Sequence, residues 1–272
     1  SADKLTYYVL MPSLLVYKLS TASLNALDGF NFVLTGLLGI LVLLFILILV
    51  NKKMKMEGSA FTSVGQGAVR FNTYVFLALS ASLFGDEGLI LSALLITFAI
   101  PLINVICITL FALYVSDSKL SIKKLVKSIF TNPLILACLL GGGINFIGFS
   151  MPIPIEKIFQ ILSSAALPMG LLSVGVGLEL RGLKDTKNEL FVSTTFKLLL
   201  LPVITYSIGI YLDISTLALS VVLIFAAMPT APSSFVLARQ LGGDVKLMSS
   251  IITLQTLVSI VTIALFIQMV VK

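Results

Sequence analysis

The chain has 272 residues, of which 58% are hydrophobic and 11% are charged, whereas a soluble domain carries about 25% charged residues. This composition excludes an ordinary soluble domain, because most of the chain must face lipid or other apolar helices. The net charge of +6 lies in short loops, which argues against a nucleic-acid partner, and the absence of histidine excludes histidine-based catalysis and histidine metal sites.

Nine apolar runs follow one another along the chain, and a membrane-spanning helix takes about 20 apolar residues. Helices satisfy their own backbone hydrogen bonds in lipid, so each run is predicted to be a membrane-spanning helix. The runs cover residues 4–20, 30–50, 61–84, 88–114, 133–150, 157–178, 188–211, 215–238 and 246–271.

Basic residues are concentrated in every second loop between these runs. By the positive-inside rule the basic loops are cytoplasmic, so residue 1 is predicted inside and Lys272 outside a multi-pass plasma (inner) membrane protein. An odd number of spans requires the same result. The basic loops contain Lys52, Lys53 and Lys55; Lys119, Lys123, Lys124 and Lys127; Arg181, Lys184 and Lys187; and Arg239 and Lys246.

Residues 116–131 are predicted to form a cytoplasmic amphipathic linker between two halves of the chain. Apolar residues fall at helical spacing in this stretch, from Ile122 to Phe130, with lysines on the other face. A plain cytosolic loop remains the alternative. The linker divides a first repeat, residues 1–115, with four spans, from a second repeat, residues 132–272, with five.

The two halves resemble each other at a nearly constant offset. Pro12 and Pro168 lie 156 positions apart, and Asp86 and Asp244 lie 158 apart. Asp86 falls in a predicted outside loop and Asp244 in a predicted inside loop, so the repeat is inverted, as in many secondary transporters. The run 133–150 has no partner in the first half. We therefore expect a five-plus-five bundle, of which nine spans are present here and the first helix is not.

Two of the runs are expected to break near the middle of the membrane. Pro229 and Pro232 each remove a backbone donor within run 215–238, which predicts two half-helices joined by an unwound linker. In run 61–84, Arg70 and Asn72 place a charge and an amide deep in an apolar span. The candidate substrate contacts are Arg70, Asn72, Thr73, Pro229, Thr230, Pro232, Ser233 and Ser234.

Simpler roles remain open for these residues: a proline kink in run 215–238, a snorkelling Arg70, and a helix–helix hydrogen bond from Asn72. Lys197 is a second deep charge without an acidic residue at matching depth. It is a candidate substrate contact, a lysine that exchanges a proton, or a structural charge near half-helix C-termini.

Other residues in the runs are assigned more modest roles. Pro12 and Pro168 are predicted to break the second helix of each half. Polar side chains within apolar runs are predicted to serve packing rather than function, as are the small residues that let helices approach closely. They are Gln66, Asn104, Asn145 and Gln255, and Gly141, Gly142 and Gly143.

Several motifs together resemble the auxin efflux carrier family of membrane transport proteins. They are Asn132-Pro133-Leu134-Ile135, the run from Ala165 to Gly175, Arg70-Phe71-Asn72-Thr73, Lys197 followed by Pro202, and Met228-Pro229-Thr230-Ala231. The resemblance implies a ten-helix, sodium/proton antiporter-like fold with two crossed broken helices, often as a homodimer. Bacterial relatives are associated with malate and malonate, and plant relatives with the auxin anion. The long cytosolic loop of the plant carriers is absent, which favours a compact bacterial member.

The leading hypothesis is a secondary active or facilitated transporter of a small organic anion by alternating access. We expect no enzyme activity, no metal site and no cofactor, and coupling to H⁺ or Na⁺ stays open. One alternative is a sodium-coupled solute symporter of the bile-acid type, which the scarcity of deep carboxylates disfavours. Another is a membrane sensor. The lack of histidine and of paired intramembrane carboxylates argues against a membrane-embedded enzyme.

Overall fold

The computed structural model describes residues 2–22, 29–115, 130–176 and 187–270, and these residues form helices and connecting segments. Residues 116–129 lie outside this part, and with them most of the predicted amphipathic linker. Within this part of the chain, each of the nine predicted apolar runs contains helix. The helices are α1 (Ala2–Leu5), α2 (Met11–Ser20), α3 (Gly29–Met54), α4 (Gly58–Val69), α5 (Thr73–Tyr114), α6 (Pro133–Phe146), α7 (Ile153–Val176), α8 (Lys187–Thr195), α9 (Leu201–Tyr211), α10 (Thr216–Ala227), α11 (Ser233–Leu241) and α12 (Val245–Val270).

Among the described residues, five helical stretches are long and apolar enough to cross a membrane, and two further apolar helices are shorter. The long stretches are Gly29–Met54, Gly58–Tyr114, Ile153–Leu172, Asn188–Tyr211 and Val245–Gln268. The second stretch has 57 residues, and a continuous helix of that length would measure about 85 Å. Because the hydrocarbon core of a bilayer is about 30 Å thick, this stretch must be divided.

Two interruptions divide the long stretch. Residues 70–72 are non-helical and separate α4 from α5. Within α5, Gly85 has φ 60° and ψ −146°, a conformation that is essentially restricted to glycine. Gly242 ends α11 with φ 79° and ψ 28°, which is the left-handed helical conformation. Both glycines have a positive φ, but their ψ angles place them in different regions of backbone conformation.

The bounds of the helices repeat along the chain. The 12-residue helices α4 and α10 begin 158 positions apart (58 and 216) and end 158 positions apart (69 and 227). Each of α4 and α10 is followed by a short non-helical linker. The 158-position offset between Asp86 and Asp244 therefore also separates these two helices.

Pro12 and Pro168 do not break their helices, so the prediction of breaks at these two positions is wrong. Pro168 lies inside α7, which continues through it. Pro12 is the second residue of α2 and follows a widened π-turn, residues Thr6–Leu10, in which the Met11 N–H bonds to the Thr6 carbonyl. The wider turn absorbs the missing amide and the bulk of the proline ring without ending the helix.

A second π-turn has the same relation to a proline. Residues Phe196–Leu200 join α8 to α9, the Leu201 N–H bonds to the Phe196 carbonyl, and Pro202 follows. Lys197 is the second residue of this turn. A π-turn inserts an extra residue into the helix and changes the direction of the side chains around it. The turn thus contributes to the inward placement of Lys197, which is fully buried.

The helices pack in two groups that meet along α5. Helix α2 packs against α6 and α7, whereas α3 packs against α9 and α10, and α4 against α8 and α12. Helix α5 contacts members of both groups. Between them lies a cluster of aromatic rings, in which Phe71, Phe76 and Phe225 meet edge to face at centroid distances of 4.7 to 5.9 Å.

We predict that Gly141→Val destabilises the protein and that Gly142→Val does not. A side-chain carbon at Gly141 would lie 2.9 Å from the Val16 carbonyl oxygen, so α2 and α6 would have to separate, whereas Gly142 has no atom within 4 Å. Overpacking costs about 1–3 kcal/mol. The measurement is the melting temperature of purified protein in detergent. Valine carries the same helix propensity cost at both positions, so an equal loss in both variants would contradict the predicted close contact.

Candidate functional site

The two helix breaks lie in direct contact. Residues 70–72 join α4 to α5, and residues 228–232 join α10 to α11. The backbone N–H of Asn72 donates to the carbonyl oxygen of Pro229 at 2.8 Å, and both residues are buried. The Asn72 side chain caps α5 by accepting from the Val75 N–H at 3.3 Å, a preferred role for asparagine at a helix start. The linkers therefore meet in the buried interior, and we refer to this contact as the crossing.

Gln255 on α12 connects the end of α4 to the second linker at this crossing. Its Nε2 donates to the Gly67 carbonyl in the last turn of α4 at 3.0 Å and to the Ser193 carbonyl on α8 at 3.3 Å. Its Oε1 accepts from the Thr230 N–H at 2.9 Å. The sequence assigned Gln255 to packing, because the spacing within one run does not reveal which backbone groups lie opposite it. The fold shows that it satisfies polar groups freed by both breaks.

A cavity of about 290 Å³ opens beside the crossing, and Arg70 is the charged residue among those that line it. Three predicted site residues lie here: Arg70, Thr73 and Ser233. Tyr7, Asn104 and Asn132 also line the cavity, and sequence analysis did not assign these three to the site. The cavity is near the lower end of the range of small-molecule sites. We refer to it as the Arg70 cavity.

The Arg70 guanidinium is held by neutral partners. One of its terminal nitrogens lies 3.5 Å from Asn104 Oδ1, and the other donates to Ser233 Oγ at 3.2 Å. Within the described residues the one ion pair joins Lys18 to Asp86, at 2.6 Å, so no carboxylate there neutralises Arg70. A guanidinium has five N–H donors, and the fork geometry suits a carboxylate.

The first residues of two helices line the same cavity. Thr73 is the first residue of α5 and Ser233 is the first residue of α11, and both line the cavity with Arg70. A helix N-terminus carries a partial positive charge from its aligned peptide dipoles. The two broken helices therefore add to the positive potential of the guanidinium. The arrangement favours a small anion.

A wider crevice of about 700 Å³ adjoins the Arg70 cavity. Tyr7, Arg70, Asn104 and Ser233 line both spaces, and the crevice extends to Lys4. We call it the outer crevice. Because the two spaces share these four residues, Arg70 lies where the crevice meets the cavity. A solute that moves from the crevice into the cavity would pass the guanidinium.

The remaining predicted site residues lie away from this cavity. Asn72, Pro229, Thr230 and Ser234 are buried at the crossing, and the Thr230 and Ser234 hydroxyls lie 3.2 Å apart in a hydrogen bond with each other. Pro232 precedes the first residue of α11 and starts that helix. Neither Pro12 nor Pro168 lines the two spaces described above.

Lys197 is also separated from the Arg70 cavity. Its side chain is fully buried, and its Nζ lies 5.7 Å from the centroid of the Phe225 ring. Phe225 in turn packs against Phe71, which lines the cavity. Lys197 and Arg70 are thus connected through two aromatic rings rather than through a shared space.

Comparison with known proteins indicates a transport role. Residues 118–267 match the family model described as "Membrane transport protein". The chain is 33% identical over 142 residues to a putative malonate transporter of Rhizobium meliloti, covering 51% of this chain and 44% of that protein. It is 29% identical over 188 residues to an uncharacterized transporter of Methanothermobacter thermautotrophicus, covering 69% and 61%. An uncharacterized transporter of Methanocaldococcus jannaschii matches at 28% over 147 residues, covering 53% and 48%.

These alignments span about half the length of the curated relatives, from 44% to 61%. The family match covers 150 residues, 118 to 267, which is more than half of the 272-residue chain. It includes α6 to α11 and most of α12, and therefore the second broken helix with Pro229.

We predict that Gln255→Leu destabilises the protein, whereas Thr256→Val does not. The leucine would leave the Thr230 N–H and the Gly67 carbonyl without their partner, at a cost of about 1–3 kcal/mol for each buried group. The Thr256 hydroxyl bonds only to the Ile252 carbonyl of its own helix. The melting temperature in detergent reports the difference. If both variants had the same melting temperature as the unmodified protein, Gln255 would not stabilise the crossing.

Proposed function

Because the chain belongs to the membrane transport protein family, of the auxin efflux carrier type, we propose that it carries a small organic anion across the membrane by alternating access. Transport is secondary active or facilitated. The observation that carries this proposal is the convergence of Arg70 and the N-termini of α5 and α11 on one cavity that has no acidic residue among its lining residues.

The substrate we propose is a carboxylate. A guanidinium binds a carboxylate through two parallel hydrogen bonds, and Arg70 has neutral partners that leave donors free. Tyr7, Thr73 and Asn104 supply further hydrogen-bonding groups for a polar ligand. The name of the Rhizobium meliloti relative, a putative malonate transporter, makes short dicarboxylates the first substrates to test. Malate and an auxin-like aromatic acid follow.

The architecture we propose is an inverted five-plus-five repeat with nine spans in this chain. Its support is the 158-position offset between α4 and α10, the contact between their linkers, and the alternation of basic loops. Inverted halves can exchange conformations, which opens the site to one side and then to the other. Residues 70–72 and 228–232 form the crossing around which the halves exchange.

We assign the conformation described here to the inward-facing state. The outer crevice reaches Lys4 and Gln240, and the distribution of basic loops assigns both positions to the cytoplasmic side. The crevice therefore leads from the cytoplasm to Arg70. This assignment rests on the predicted location of residue 1 in the cytoplasm and of the protein in the plasma membrane. The homodimer implied by the family resemblance stays a prediction.

The test is uptake of labelled malonate, malate and indole-3-acetate into proteoliposomes that contain the purified protein. Imposed proton, sodium and voltage gradients are varied one at a time. Uptake of at least one carboxylate above protein-free liposomes is expected. If no carboxylate enters under any gradient, the proposal is wrong. An absolute requirement for sodium would instead favour the sodium-coupled symporter of the bile-acid type.

We predict that Arg70→Gln lowers carboxylate uptake at subsaturating concentration by at least about tenfold, and that Arg239→Gln leaves it unchanged. Loss of a hydrogen bond to a charged group costs about 1.5–3 kcal/mol, and 1.4 kcal/mol is a factor of ten. Arg239 is an exposed arginine on α11 that lines neither space described above. Initial uptake rates normalised to reconstituted protein give the comparison. Equal uptake rates in the two variants would show that Arg70 does not contact the substrate.

A further inference from the structure

Lys197 is a buried amine with no partner in the described part of the chain. It lies in the π-turn between α8 and α9, its side chain is fully buried, and its Nζ has no hydrogen-bond acceptor. The Phe225 ring is 5.7 Å from Nζ. The face of a phenylalanine offsets only part of what an ammonium group loses when it leaves water. A permanent charge at this position would therefore oppose the conformation described here.

The charged and titratable groups on the helices around this turn do not neutralise an ammonium group at Lys197. The turn packs against α3, α4, α8, α9, α10 and α12. Neither α4 nor α10 carries a titratable or charged side chain within its bounds. The described titratable and charged groups on the other four helices are Lys52 and Lys53 on α3, Glu189 on α8, Tyr206 and Tyr211 on α9, and Lys246 on α12. None of these accepts a hydrogen bond from Lys197, since Nζ has no acceptor at all.

The lack of space around Lys197 decides whether the amine could bind a substrate carboxylate or a proton. Its side chain has no accessible surface, so no space as large as a water molecule adjoins it. A carboxylate does not fit beside Nζ in this conformation. A proton needs no space. The substrate contact proposed for Lys197 from sequence is therefore less well supported than proton exchange.

We propose that Lys197 is a proton-binding group whose occupancy controls which side of the transporter is open. In the state described here the amine is neutral and closed off from water. In the opposite state it is exposed, and the amine takes one proton from water to become an ammonium. Return to the inward-facing state requires that this proton first passes back to water. Acid therefore favours the opposite state, and base favours this one.

Other unpartnered groups near the crossing support a rearrangement between two states. Both amide atoms of Gln66 on α4, the Thr194 hydroxyl on α8 and the Asn72 amide nitrogen are buried without a partner. Buried polar groups are normally hydrogen-bonded, and an unpaired one is costly. Helices α4 and α8 pack together, and the Ser193 hydroxyl donates to the Val64 carbonyl at 3.3 Å. A change of state that opens the space around Lys197 would give these groups water.

The aromatic cluster provides a physical connection to the substrate cavity. Nζ of Lys197 lies over Phe225, the rings of Phe225 and Phe71 are 4.7 Å apart, and Phe71 follows Arg70 in the linker. In the proposed change of state, a rearrangement that hydrates Lys197 shifts Phe225 and, through their ring contact, Phe71. The proposal rests on alternating access in the proposed function, but it does not depend on the substrate.

The experiment measures how accessible the outer crevice is at two pH values. Cys107 and Cys138 are replaced by alanine, and single cysteines are introduced as Gln240→Cys in the crevice and Lys246→Cys outside it, both at exposed positions. Inside-out vesicles are treated with a membrane-impermeant maleimide. The ratio of labelling at the two positions cancels the effect of pH on thiol reactivity. No substrate is present.

For the unmodified Lys197 the ratio is expected to fall at least about threefold between about pH 9 and about pH 6, where a one-proton equilibrium allows up to about tenfold per pH unit. With Lys197→Met the ratio stays high at both pH values, because no charge can form. With Lys197→Arg it stays low, because the guanidinium is always charged. Lys197→Gln serves as a second neutral variant if the methionine protein does not fold.

A ratio that does not change with pH in the Lys197 protein overturns the proposal, as does the same pH response in the neutral variants. The test separates this proposal from the proposed function. If a pH response that needs Lys197 is found in a protein that takes up no carboxylate, only the substrate assignment is wrong. If Arg70→Gln loses uptake but keeps the pH response, both proposals are supported.

Discussion

A break in a membrane-buried helix exposes backbone amides and carbonyls that neither lipid nor water can satisfy, and this constraint organises the centre of the protein. Here each break supplies part of what the other lacks. The Asn72 N–H bonds to the Pro229 carbonyl, and Gln255 accepts from Thr230 while donating to Gly67. These partners offset part of the cost of leaving the two linkers unwound. The crossing is therefore a single polar unit contributed by α4, α5, α10, α11 and α12.

The same breaks create the chemistry of the cavity. Ending α4 and α10 inside the fold allows α5 and α11 to begin there, and a beginning helix presents a partial positive charge. The first linker adds the guanidinium of Arg70, whereas the second contains Pro229 and Pro232 and no charge. Helices α4 and α10 are equal in length, but the linkers that follow them differ in their side chains. The cavity is consequently asymmetric, with its one cation, Arg70, on the linker between α4 and α5.

Local features of the fold could be predicted from the sequence, because local residues cause them. Apolar runs set the helices, and the linkers fall where Pro229, Pro232 and Asn72 occur. The breaks predicted at Pro12 and Pro168 are wrong, because a π-turn in one case and a continuous helix in the other accommodate the ring. Tertiary partners were not predictable. Gln255, Tyr7 and Asn104 gain their roles only when distant helices meet, and the Thr230 and Ser234 hydroxyls were expected to face substrate but bond to each other.

Two cations lie near the crossing in very different surroundings, and the difference is informative. Arg70 is half-buried, borders a cavity and holds neutral partners, so its permanent charge remains solvated and available to an anion. Lys197 is fully buried against Phe225 and borders no water-sized space. An arginine cannot lose its charge, whereas a lysine can, and a lysine is the residue that tolerates complete burial without a counter-ion. Phe225 contacts Lys197, and Phe71 contacts Phe225 and lines the Arg70 cavity. The proposed protonation of Lys197 and the binding of an anion at Arg70 therefore act on the same packed aromatic rings. In the proposed mechanism, a rearrangement that hydrates Lys197 therefore also repacks the wall of the Arg70 cavity.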